Sequence, residues 1–155
     1  MDFMQAVQAV LTLNADDALR AKLSLDQWRA VAPYFTRHEV RTSDLLIKQD
    51  EGDRALYLLG QGSLQVFVTG GVPGSNRIAI LRPGSIVGEA GLFSAGPRMA
   101  NVEAMTPCIV FALRGSRLDE LAQRSPALAY ELMRGCGGVM AVRMRANLTR
   151  QIPVC

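Results

Sequence analysis

Residues 88–102 read GEAGLFSAGPRMANV, and Glu89 and Arg98 are the charged residues of the stretch. Gly88 permits a tight turn after the strand-like Ser-Ile-Val. If a short turn of helix follows, the N–H groups near Ala90, Gly91 and Leu92 lack partners and point outward. Such a helix start receives anions. Arg98 stands beyond the Ser-Ala-Gly-Pro loop, where Pro97 helps set its direction. Its planar guanidinium matches two phosphate oxygens at once. Glu89 accepts hydrogen bonds, so it repels phosphate but suits a sugar hydroxyl. One acid, one arginine and a helix start therefore describe a site for a sugar phosphate. The same two side chains can instead bridge each other and hold the loop, and their spacing leaves both readings open.

The elements that must position these residues come from a chain of 155 residues, enough for one domain with a real core. Hydrophobic residues make up 49% and charged residues 20%, a globular composition. No apolar run approaches ~20 residues, so no membrane segment is expected. The opening MDFMQAVQAVLTLNADD has an acid at position 2 and no basic stretch, unlike a secretory signal. Cys108, Cys136 and Cys155 form no metal-type pair, and their odd number suggests reduced thiols and a cytoplasmic location. His38 is the single histidine, which argues against a His-based metal centre and a cupin-like metalloenzyme. No base is suggested beside any cysteine, so a thiol nucleophile is not indicated either. The net charge of +3 is too mild to imply nucleic acid. Arg134, Arg143, Arg145 and Arg150 gather near the C-terminus, where they suit a helix dipole and a solvated face.

The first ~35 residues read as helical, with Phe3, Val7, Val10 and Leu11 at helical spacing. Ser24 and Gln27 form a capping-box pattern opening a helix through Val31, and Pro33 marks its approximate end. From Phe35 the period changes to that of strands. FTRHEV, LLIK, ALYLL, SLQVFV, RIAIL, ANVEA and IVFAL are separated by turn formers such as DEGD, GQG, TGGVPGSN and RPG. After Leu113 helical spacing returns. Ser116 is a candidate cap for SRLDELAQR, and Ser125-Pro126 opens a second helix expected to reach about Gln151. The expected fold is mainly β with flanking helices. It has an N-terminal helical segment (1–34), a β-roll of about eight strands (35–114) and C-terminal helices (115–155), all in one domain.

The last helix carries two apolar stripes. Leu128, Leu132, Gly135, Val139, Val142 and Ala146 make an a/d-type seam, and Met133, Cys136, Met140, Met144 and Leu148 lie beside it. One stripe against the β-roll and one against a second copy would make a homodimer; a single wide face in one core is the alternative. Arg-Gly-Cys-Gly-Gly at 134–138 marks either a close backbone approach or a hinge.

The stretch at 86–102 resembles the phosphate-binding cassette of cyclic nucleotide-binding domains, through Gly88, Glu89, Gly91, Leu92, Pro97, Arg98, Ala100 and Val102. DEGDRALYLLGQGSLQVFV is similar to the family's earlier hairpin, with Gly62 at its usual glycine, and ILRPGSIVGE to the entry into the cassette. The resemblance covers about residues 20–150. It implies a non-catalytic module binding cAMP or cGMP, with no other cofactor. Glu89 would accept from the ribose 2′-OH, and Arg98 with backbone N–H groups near Gly91 and Leu92 would hold the cyclic phosphate. Met99 stands where many bacterial members carry Ser or Thr, so only its backbone can serve. Ala90 replaces a larger apolar residue, and Asp50 occupies a usual turn-glycine position. Arg143 and Asn147 are candidates to cap the base, by their place on the last helix. The family's transcription factors follow this helix with a helix-turn-helix; none fits before Cys155, so DNA binding by this chain is not expected. The alternative is a ligand-free β-roll serving dimerisation or partner docking.

Overall fold

The computed structural model describes residues 1–70 and 77–148. Its first helix, α1 (Phe3–Thr12), is opened by Asp2. The Asp2 carboxylate accepts from the Gln5 N–H at 2.9 Å, and the Gln5 side chain accepts from the Asp2 N–H at 2.7 Å. Helix α2 (Leu25–Val31) opens with the expected reciprocal pair, Ser24 and Gln27. A 3₁₀ turn, Ala32–Tyr34, carries Pro33. Between these helices the segment expected to be helical is interrupted: residues 13–24 form no helix. Asn14, Asp16 and Asp17 are residue types that favour turns over helix interiors, and Ala18 and Leu19 are buried without helical spacing.

Eight strands follow: β1 (Thr36–Val40), β2 (Leu45–Ile47), β3 (Ala55–Gln61), β4 (Leu64–Phe67), β5 (Arg77–Leu81), β6 (Ile86–Val87), β7 (Asn101–Ala104) and β8 (Cys108–Arg114). They pair antiparallel in two four-stranded sheets, ordered β1-β8-β3-β6 and β2-β7-β4-β5. The alternation of β3 explains the layering. Tyr57 and Leu59 point into the roll, with Ile47, Leu64, Val66, Val87, Val102 and Val110. Leu56 and Leu58 point the other way, onto Val7, Trp28, Leu121, Leu132 and Val139 of the helices. Both faces of this sheet are covered, which is why β3 reads as a continuous apolar run. This is the expected β-roll with N-terminal helices and a long C-terminal helix.

Helix α4 spans Gly115–Arg124 and α5 spans Pro126–Leu148. Ser116 is not the cap of α4. Arg114 occupies that place, without a side-chain cap bond, because the helix starts directly at the end of β8. The TGGVPGSN tip falls mostly, and the expected end of the last helix wholly, outside the described residues. Among the described residues, no helix is long and apolar enough to cross a membrane.

The buried face of α5 lies between the two expected stripes. It takes Leu132, Gly135 and Val139 from one and Cys136 from the other, with Ala129 and Arg143, which belong to neither. Val139 therefore packs on the chain's own core, whereas Met144 (56% exposed) and Leu148 (84%) face outward. The helix runs unbroken through its three glycines. Gly135 marks a close approach: a Cβ there would stand 2.9 Å from Leu19 Cδ1 and 3.2 Å from Ala21 Cβ. Gly138 faces open space. Gly138→Ala is therefore expected to stabilise the protein by up to about 1 kcal/mol through helix propensity. Gly135→Val crowds the Leu19–Ala21 segment and is expected to lower stability by about 1–3 kcal/mol. Urea denaturation of the two variants checks the contrast; equal effects would contradict this packing.

Candidate functional site

The segment after β6 turns where the sequence requires it. Gly88 has φ +81°, and a Cβ there would stand 2.8 Å from the Ala55 carbonyl oxygen. Residues Ala90–Phe93 form a single helical turn, α3. Two of the N–H groups expected to point outward are engaged within the turn. Gly91 donates to the Gly88 carbonyl at 3.0 Å and Leu92 to the Glu89 carbonyl at 3.1 Å. So short a turn engages these two donors in i→i+3 bonds. The Leu92 side chain belongs to the helix-side core.

Arg98 is nearly buried and lies flat against Gly91, where a Cβ would stand 2.7 Å from Nη1 and 3.0 Å from Cζ. It does not pair with Glu89. Its Nε donates to Asp53 Oδ1 at 2.6 Å, and Nη2 also faces that oxygen. Nη1 donates to the Gly88 carbonyl at 2.9 Å and Nη2 to the Ala55 carbonyl at 2.6 Å. The Arg98 backbone is fixed as well, bonding the Asp50 N–H and the Glu51 carbonyl at 2.8 and 2.9 Å. Asp50 has φ +70°, so this position does use the left-handed conformation that a glycine would supply. Tyr57 donates to the other Asp53 oxygen at 3.5 Å. Burial, then the Asp53 charge, raises the Tyr57 hydroxyl above its ordinary pKa, against the opposing pull of Arg114 and Arg98.

Glu89 is fully buried, and its visible partner comes from α5. Arg143 Nη1 donates to Glu89 Oε2 at 2.9 Å. Arg143 Nη2 donates to the Ile86 carbonyl at 2.8 Å and Nε to Asp17 Oδ2 at 3.0 Å. Arg143, expected only as a possible base cap, thus sits on the acid itself. Asn147, the other candidate, is exposed. Cys136 lies beside this cluster. Burial pushes its thiol up to about 12, reinforced by the Glu89 charge and opposed by Arg143, so it is protonated at neutral pH.

A cavity of about 330 Å³ opens beside the turn, lined by Ala90, Gly91, Ser94, Pro97, Arg98 and Met99 among others. Its volume is in the range of small-molecule pockets, roughly 300–1,000 Å³. Met99 is half exposed at its wall. The structure therefore gathers Ala90, Gly91, Arg98 and Met99 around one space and sets Glu89 under α5 behind it. Asp53 and Asp17 were missed by the sequence reading. Both sit in stretches, Asp-Glu-Gly-Asp and Asn-Ala-Asp-Asp, that look like ordinary solvated turns.

The chain is thus a β-roll of two four-stranded sheets in which a glycine turn is followed by a buried acid and a buried arginine, each ion-paired elsewhere in the fold. The family pattern described as the cyclic nucleotide-binding domain matches residues 37–125, and the chain belongs to that family. It is 29% identical over 112 residues to the cyclic AMP receptor protein of Thermus thermophilus, covering 72% of this chain and 50% of that one. The chain thus spans about half the length of that curated relative. The solved structure of a cyclic nucleotide-binding domain from Methylobacillus flagellatus superposes with a TM-score of 0.80 at 20% identity, covering 96% of this chain and 81% of that one. The catabolite activator protein of Thermus thermophilus superposes with a TM-score of 0.70 at 27% identity, covering 83% and 59%.

The burial of Glu89 and Arg143 makes a stability prediction. Arg143→Met leaves a carboxylate in the core without its guanidinium, which is expected to cost about 3–5 kcal/mol. The double variant Arg143→Met/Glu89→Gln removes both charges and is expected to recover at least half of that loss. Denaturant unfolding of both measures it, and additive losses would show that the pair is not coupled.

Proposed function

We propose that this chain is a non-catalytic sensor module that binds cAMP or cGMP at the 88–99 turn and reports occupancy through α5. The carrying observation is the tie between Glu89, on the turn, and Arg143, on the helix. A ribose hydroxyl that engages Glu89 has to share or displace Arg143, so occupancy and the seat of α5 are linked. Arg98, beside the cavity, is the phosphate ligand in this reading, with backbone groups of the turn and of Met99 assisting. The cyclic AMP receptor relative makes cAMP the first ligand to test. The reading is of a cytoplasmic module, in keeping with its family and its unpaired, buried Cys108 and Cys136. A second reading, a ligand-free docking module, draws support from the same contact, since Arg143 already fills the place on Glu89.

Calorimetric titration with cAMP and cGMP separates the two. The sensor reading expects micromolar or tighter binding. Arg98→Ala, with its fold checked by circular dichroism, is expected to weaken it about 100-fold, the equivalent of one or two charge-assisted hydrogen bonds. No binding of either nucleotide up to millimolar concentration would sink it and favour the docking module.

We also propose that α5 forms a homodimer contact through its outward apolar face, where Met144 and Leu148 stand exposed. Val139, buried in the chain's own core, is not part of that face. Met144→Asp is expected to halve the mass seen by light scattering while leaving the circular dichroism unchanged. A wild-type protein already at monomer mass would exclude the dimer.

A further inference from the structure

The non-helical segment after α1 runs along α5 in the opposite direction and meets it at three positions. The Lys22 N–H donates to Glu131 Oε2 at 3.3 Å. Leu19 and Ala21 close over Gly135, the glycine whose missing Cβ makes room for them. Asp17 Oδ2 accepts from Arg143 Nε at 3.0 Å. Positions 131, 135 and 143 lie along one i±4 ridge of the helix. The contacts therefore form a seam along one ridge, interrupted near Val139, where a cavity lined by Asp16, Ala18 and Arg20 opens against the helix.

Its far end matters most. The Asp17 and Arg143 side chains are 14% and 2% exposed, and Glu89 behind them is fully covered. No ligand hydroxyl reaches Glu89 while Arg143 is seated and α5 is closed. Arg143 is held from two sides by carboxylates, one on the turn and one on the N-terminal segment. Removing the Asp17 charge takes a counterion from a guanidinium in a weakly screened interior, and favours arrangements that return it to water.

We propose that Asp17 is a positioning residue: it seats Arg143 over Glu89, and residues 17–22 strap α5 closed, setting how often Glu89 is uncovered. The effect on nucleotide affinity rests on the sensor reading above; the strap itself rests on the contacts alone. If only the uncovered form binds nucleotide, the apparent Kd is the intrinsic Kd divided by the fraction uncovered. Loosening the strap then tightens binding.

Hydrogen exchange on the nucleotide-free protein tests the strap. Asp17→Asn is expected to speed exchange in 136–146 and 88–92 on the order of tenfold, leaving the strands of the roll at their wild-type rates. Asp17→Glu, which keeps the charge, is expected to restore most of the protection. Glu131→Gln, at the other end of the seam, is expected to act in the same direction more weakly, and serves if Asp17→Asn does not fold. Unchanged exchange in α5, or equal acceleration throughout the chain, overturns the proposal. Titration with cAMP and cGMP then tests the coupling. Asp17→Asn is expected to bind several-fold more tightly than wild type, a gain that mere structural damage does not produce. Equal or weaker binding overturns the coupling. If wild type and variant both bind neither nucleotide, the sensor reading fails, and the exchange rates alone decide the strap.

Discussion

A guanidinium taken out of water needs its charge answered and its donors used, or it destabilises the core that holds it. Arg143 meets that constraint with partners from separate parts of the chain, among them Asp17 after the first helix, the Ile86 carbonyl in β6, and Glu89 on the turn. The position of α5, the entry into the turn and the course of the N-terminal segment are all tied to this one side chain. Buried charges are a poor source of stability, since matched apolar residues often do as well. They are effective at making one arrangement costly to leave, because separating the pair strands a carboxylate.

Arg98 is held on a different principle. Its partners, Asp53 and the Ala55 and Gly88 carbonyls, all belong to the roll and the turn, so it is fixed to the rigid body of the domain. Arg143 belongs to a helix that only packs on that body. The two arginines thus divide the site into a half held within the roll and a half carried by α5. Glu89 sits on the boundary, with its backbone on the fixed side and its carboxylate bonded to the other. Cys136, next to this boundary and held protonated by burial, adds an uncharged filler where another charge would disturb the balance.

Much of the local structure was legible because it is decided by neighbouring residues. Ser24 with Gln27 opens α2 through bonds spanning three residues. The alternating runs from Thr36 onward become strands, and Gly88 turns the chain at φ +81°. The stretch from Gly88 to Val102 also identified the family, since its glycine, acid, proline and arginine have fixed spacing. Ser116 misled because a strand running straight into a helix removes the need for a side-chain cap.

The pairing of charges was settled by the tertiary structure. Arg98 finds Asp53 across 45 positions of sequence, and Arg143 finds Asp17 across 126. Sequence alone fixed which residues carry charge and which segments could bend or pair, because those are properties of a few adjacent side chains. It left open whether Glu89 and Arg98 face each other. That depended on how the roll closes and where α5 comes to rest, and so on packing between segments that are distant in the chain. The two apolar stripes of α5 show the same limit. Periodicity shows that the helix has faces, but the face that is buried, from Ala129 to Arg143, was chosen by the shape of the sheet and of the segment packed against it.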